Sequence, residues 1–175
     1  MRGAATATGS SRRPLWRSRI VNQGIPSGSA LVEGLVVAEE VPFVGHPMVR
    51  ATHERTIEIT TEAHLTPRGD CILGVRAAKG VAQLAASLKE ALRSDGALVK
   101  LTIEAPGGRY SFGARGSNEL TLGDSRDMVI RTSGYVCGRT LAVRAESSAR
   151  DIPREIVRSL KSPGAAGLLR IEVQV

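Results

Sequence analysis

The hydrophobic pattern changes period several times along the chain. Thr56–Thr60 (TIEIT) alternates, with Ile57 and Ile59 on one face, as a half-buried strand does. Leu31 to Ala38 is a short aliphatic run that reads as the first strand. Cys71–Val75 reads as another, launched from the Pro67-Arg68-Gly69-Asp70 turn. Val81, Leu84, Ala85, Leu88 and Leu92 then recur at helical spacing, with Gly96 placed for a left-handed C-terminal cap. Further strands are predicted at Leu98–Glu104, Arg109–Gly113, Met128–Thr132, Thr140–Ala145 and Leu168–Val175. A second helix follows Asp151, its expected N-cap, with Pro153 in the first turn and Ile152, Ile156, Val157 and Leu160 as its apolar stripe.

This pattern repeats. At a constant offset of 68, Leu73, Val75, Arg76, Ala77, Leu92, Ser94, Gly96, Ala97, Leu101, Ile103 and Glu104 meet identical residues at Leu141, Val143, Arg144, Ala145, Leu160, Ser162, Gly164, Ala165, Leu169, Ile171 and Glu172. The expectation is a duplicated strand–strand–helix–strand unit, about 45–105 and 116–173, with a pseudo-two-fold axis as a natural place for a shared site. The fold class is α+β, mainly β, in one globular domain over 31–175 preceded by a basic tail and linker over 1–30.

The net charge of +7 changes the picture once it is located. Arg2, Arg12, Arg13, Arg17 and Arg19 supply five positive charges in the first 20 residues, which contain no acid. The remainder carries only +2, too little for a large sequence-independent attraction to phosphate backbones. The aromatic content of 3% likewise offers no stacking platform for single strands. The tail reads as a disordered arm, with an over-extended gene start or a transit peptide as alternatives. No segment has the ~20 apolar residues that span a bilayer, so the expected location is cytoplasmic, with no membrane partner. Cys71 and Cys137 lack CxxC spacing and read as reduced, buried small hydrophobes. The five Asn and Gln residues in all fit a thermophile.

GHPMVRATHERTIEIT (45–60), LTPRGDCILGV (65–75), GSNELTL (116–122) and DMVIRTSGYVCGRTL (127–141), with the DIPREIVRSLK helix, resemble the archaeal proteins of domain-of-unknown-function family 371. The resemblance covers roughly 31–175. It implies an archaeal source and a β-rich, jelly-roll-like sandwich with two short helices. It implies little about activity, although some members carry an endonuclease label.

Three constellations carry candidate chemistry. His46, His53 and Glu58 are candidate ligands of a divalent metal, alongside His64, Asp70 and Cys71. With a metal, His53, Glu58 and Asp70 become candidate catalytic residues of a nuclease-type hydrolase, although no Asp-x-Lys or Glu-x-Lys spacing supports that core. Arg131 and Arg139, flanking the SGYVCG turn, with His46 and the Gly116-Ser117 turn, form a candidate site for an anionic small molecule or nucleic acid. Arg76 and Arg144 are instead expected to pair with Glu104 and Glu172 across adjacent strands. The favoured reading is a binding module for an anionic ligand or partner, and the alternative is the metal-dependent hydrolase.

Overall fold

A computed structural model describes residues 34–175. The expected tail, and the part of the first strand over 31–33, lie outside the described residues. The fold is mainly β, with two four-stranded sheets and two short helices. The strands are β1 (Val36–Val44), β2 (Thr56–Thr60), β3 (Ile72–Gly74), β4 (Leu98–Ala105), β5 (Gly108–Arg115), β6 (Asp127–Arg131), β7 (Thr140–Ala142) and β8 (Ala166–Gln174). The helices are α1 (Ala86–Leu92) and α2 (Arg154–Leu160), each preceded by a single 3-10 turn at Val81–Gln83 or Ala149–Asp151.

One sheet runs β1-β8-β4-β5 and is antiparallel throughout. The other runs β3-β2-β6-β7, with an antiparallel central pair and parallel outer pairs. Those parallel pairs depart from a jelly roll, whose neighbouring strands run antiparallel. Isolated bridges Val44–Val75 and Arg115–Val143 join the two sheets at both edges, so hydrogen-bonded pairing runs in a closed circuit. A single apolar cluster fills the space between, drawing Val41, Leu101 and Ile171 from one sheet, Ile57, Leu73 and Ile130 from the other, and Leu88 and Ile156 from the helices.

Pairing in the second half repeats that of the first. From β3 and β7 onward counterparts lie 68 positions apart and upstream of them 71 apart, so Val44–Val75 answers Arg115–Val143, and the left-handed residues Ala51 and Arg76 (φ 48° and 50°) answer Leu122 and Arg144 (φ 50° and 52°). Four non-glycine residues in this region, each costing about 1–2 kcal/mol, are held there by the same local pairing twice over. Arg76 N–H, for example, donates to Glu62 O, and Arg144 N–H to Ser133 O. In β2·β6 the register sets Glu58 against Val129, its own counterpart, so the centre of the sheet passes through Glu58.

Several elements differ from expectation. β1 begins later and runs to Val44 because its polar interruption is solvated or paired at the sheet edge: Glu39 meets Lys79, and Glu40 meets Arg170. Pro42, which lacks an N–H, is tolerated on this edge strand, and its carbonyl accepts from Ala78 N–H. The helix expected from Val81 is broken at Leu84-Ala85, both extended, which leaves α1 seven residues long. Asp151 caps the 3-10 turn and not α2, its carboxylate accepting Ser148 N–H at 2.8 Å. Arg76 and Arg144 do not reach the expected glutamates. Glu104 pairs with Arg109 at 2.9 Å, a closer neighbour across the β4–β5 hairpin, and Glu172 with Lys100 at 3.9 Å.

Candidate functional site

Alternation along β2 sends Ile57 and Ile59 into the core and leaves Thr56, Glu58 and Thr60 on the other face. Register places Arg131 opposite Thr56, Val129 opposite Glu58 and Asp127 opposite Thr60. Cys71, just before β3, and Arg139, just before β7, flank this strip. The result is a polar cluster over the centre of the β3-β2-β6-β7 sheet.

Arg139 organises it. Its Nη1 lies 3.6 Å from Glu58 Oε1 and 3.4 Å from Asp127 Oδ2. The two carboxylates are nearly covered, with side chains 12% and 11% exposed, whereas the Arg139 side chain is 42% exposed. Thr60 Oγ1 donates to Asp127 Oδ1 at 2.7 Å, and Cys71 Sγ to Glu58 Oε2 at 3.4 Å. Burial raises the pKa of Glu58, and Asp127 adds to the rise, while Arg139, Cys71 and Arg131 oppose it. Burial, with Glu58 beside it, pushes the Cys71 thiol up to about 12.

On the other flank, Arg131 Nε donates to Thr140 Oγ1 at 3.0 Å and Nη2 to Cys137 Sγ at 3.3 Å. Burial alone would raise the Cys137 pKa. The Arg139 backbone N–H, the Thr140 hydroxyl and Arg131 outweigh it and bring the thiol down to about 7. The Tyr135 ring, 62% exposed, covers the Arg131 guanidinium at 4.9 Å. Cys137 thus differs from the inert buried thiol expected from its apolar neighbours. The signal that could have found it is the Arg131 to Thr140 interval, which brings a guanidinium and a hydroxyl back to one sulfur. Thr140 and Tyr135 were also absent from the expected set, and Asp127, available to the sequence only as an unpatterned acid, is placed here against Arg139.

The remaining candidates serve turns. Met48 N–H donates to His46 Nδ1 at 3.1 Å, and Arg55 and Thr56 N–H both donate to His53 Nδ1 at 3.1 Å. Lone pairs used in this way are unavailable to a metal. At the counterpart positions Ser117 Oγ accepts Glu119 N–H, and Asp124 Oδ1 accepts Arg126 and Asp127 N–H. His46 and Ser117 N–H also donate to Leu160 O and Leu92 O, satisfying orphan carbonyls at the ends of α2 and α1. A Cβ on Gly116 would come within 2.4 Å of Leu92 O, so this glycine is required by close packing. The hydrogen bonds of His46, Gly116 and Ser117 do not reach Arg131 or Arg139. Asp70 uses its carbonyl to accept Thr52 and His53 N–H, and His64 is exposed. Among the described residues, no group of three or more His, Cys, Asp or Glu is arranged to hold a metal. His46, His53 and Glu58 therefore do not come together as a set of metal ligands.

The domain of unknown function DUF371 matches residues 41–174. The chain belongs to that family. A relative named uncharacterized protein MJ0206, from the archaeon Methanocaldococcus jannaschii, is 44% identical over 117 residues, covering 67% of this chain and 86% of the relative. The DUF371 match spans the whole polar cluster, from Glu58 to Thr140. Among the described residues no helix is long and apolar enough to cross a membrane.

Proposed function

We propose that this DUF371 protein is a binding module for a small anionic ligand, which docks over the centre of the β3-β2-β6-β7 sheet against Arg131 and Arg139. The observation that carries the reading is the Arg139 guanidinium, part-exposed above two covered carboxylates, beside a second guanidinium under an exposed ring. A planar fork of this kind matches carboxylate or phosphate oxygens. The charge balance favours a small molecule over nucleic acid, since the chain beyond residue 20 carries only +2. The hydrolase alternative has less support, because Glu58 and Asp127 face an arginine and His53 Nδ1 is committed to a turn. We take the protein to act in the cytoplasm, where Cys71 and Cys137 remain thiols, and to descend from a doubled unit.

Glu58 competes with the ligand for Arg139. With its pKa raised, it becomes protonated at a higher pH than an ordinary glutamate, and Arg139 is then less neutralised. Binding of an anion should therefore tighten as pH falls through the Glu58 pKa, and by linkage the bound anion raises that pKa further. The test is an NMR titration of the full chain with sulfate, dianionic throughout the range, at constant ionic strength. Saturable shifts are expected at the Arg131 and Arg139 side-chain N–H groups. Glu58→Gln should tighten binding several-fold at neutral pH and flatten the pH dependence, and Arg139→Gln should weaken it about tenfold. Shifts no larger than those with chloride, or an unaltered affinity in Arg139→Gln, would refute the reading.

A further inference from the structure

The other sheet carries a separate concavity. Alternation along β4 and β8 leaves Leu98, Lys100, Glu172 and Gln174 facing outward, and Arg115 projects beside them from β5. The segment after β7 adds Arg144 and Glu146 as a wall, leaving an open cavity of about 330 Å³. That size is at the lower end of small-molecule sites.

Its charges are unevenly used. Lys100 and Glu172 pair with each other at 3.9 Å, and Glu146 accepts Gly113 N–H at 2.9 Å. Arg115 and Arg144 have no ion-pair partner within 4.0 Å among the described residues. Beside them Leu98 and Val36 are 48% and 46% exposed. Two unpaired guanidinium groups next to apolar surface fit an anionic head on a short apolar body. The repeated fold does not require this lining. Arg144 and Glu172 recur as Arg76 and Glu104, but the counterparts of Lys100, Arg115 and Glu146 are Leu168, Val44 and Ala78, so the full charged lining occurs at this end of the sheet alone among the matched positions.

We infer that this cavity is a second ligand site, for a small monocarboxylate whose head is held by Arg115 and Arg144 and whose apolar body lies on Leu98 and Val36. It is independent of the site over the other sheet and does not share its arginines. The test is methyl NMR of the full chain with hexanoate, with hexylammonium as the opposite-charge control at equal ionic strength. Hexanoate should give saturable shifts at the Leu98, Val99 and Ala114 methyls, and hexylammonium should not. Arg115→Gln and Arg144→Gln should each weaken hexanoate about tenfold. Arg144 also lies against Gly134, so Arg115→Gln is the variant free of loop effects. No saturable shift at these methyls, an equal response to hexylammonium, or unchanged affinity in Arg115→Gln would overturn the proposal. Shifts confined to Arg131 and Arg139 would also overturn it while leaving the first site standing.

Discussion

Two cysteines on one sheet face show how far a side chain's chemistry depends on its donors. Burial, with the Glu58 carboxylate beside it, pushes Cys71 up to about 12, whereas Cys137 receives an N–H, a hydroxyl and a guanidinium that outweigh its burial and bring it to about 7. Iodoacetamide should therefore alkylate Cys137 selectively, with a rate that rises through about pH 7, while Cys71 stays unreactive below pH 9. Peptide mass mapping of the modified chain checks this. Equal labelling of both thiols, or a Cys137 profile centred near pH 9, would contradict the hydrogen-bond geometry. Cys137, with its pKa lowered from 9.0 to about 7, contributes stability at alkaline pH that is lost as pH falls through about 7. Neither property is legible locally, because SGYVCG places the thiol beside apolar Val136 and the deciding donors come from β6 and β7.

At the scale of elements, different residues perform one task at matched positions. His53 Nδ1 and Asp124 Oδ1 each accept the two N–H groups that open the following strand. His53→Asp should then keep stability within about 1 kcal/mol of the parent, whereas His53→Ala, with no acceptor, should cost about 0.5–2 kcal/mol. Urea denaturation of both variants decides it, and equal losses would mean that the ring's packing matters more than its lone pair. Compensation appears in the core as well: Phe43 packs across Gly167, while the corresponding pair is Ala114 across Val99. A large residue opposite glycine is answered by a medium one opposite alanine, which keeps the summed volume similar. TIEIT was legible to the residue because its alternation is complete within five positions. The break at Leu84-Ala85 was not, since a 3-10 turn followed by a short helix keeps the same apolar spacing as one longer helix.

For the whole molecule, the shared core couples the two halves. Leu88 of α1 and Ile156 of α2 are counterparts, both buried in the same cluster. Truncating either to Ala should cost about 2–5 kcal/mol and lower one cooperative transition, not separate two. Calorimetry showing a second transition in either variant would mean that the halves unfold independently.

The order of strands and helices, the recurrence at an offset of 68 and the location of excess charge in the first 20 residues were all determined by the sequence, because periodicity and composition are local properties of a chain. Tertiary structure decided which polar groups meet. The sequence grouped His46, His53 and Glu58, yet the fold turned both histidines to backbone N–H groups and brought Arg139 to Glu58 from 81 positions away. It decided, too, that the sheets would join at Val44–Val75 and Arg115–Val143. The physical reason is register: a strand pattern states which side chains share a face, but only pairing between distant strands selects the neighbours across it.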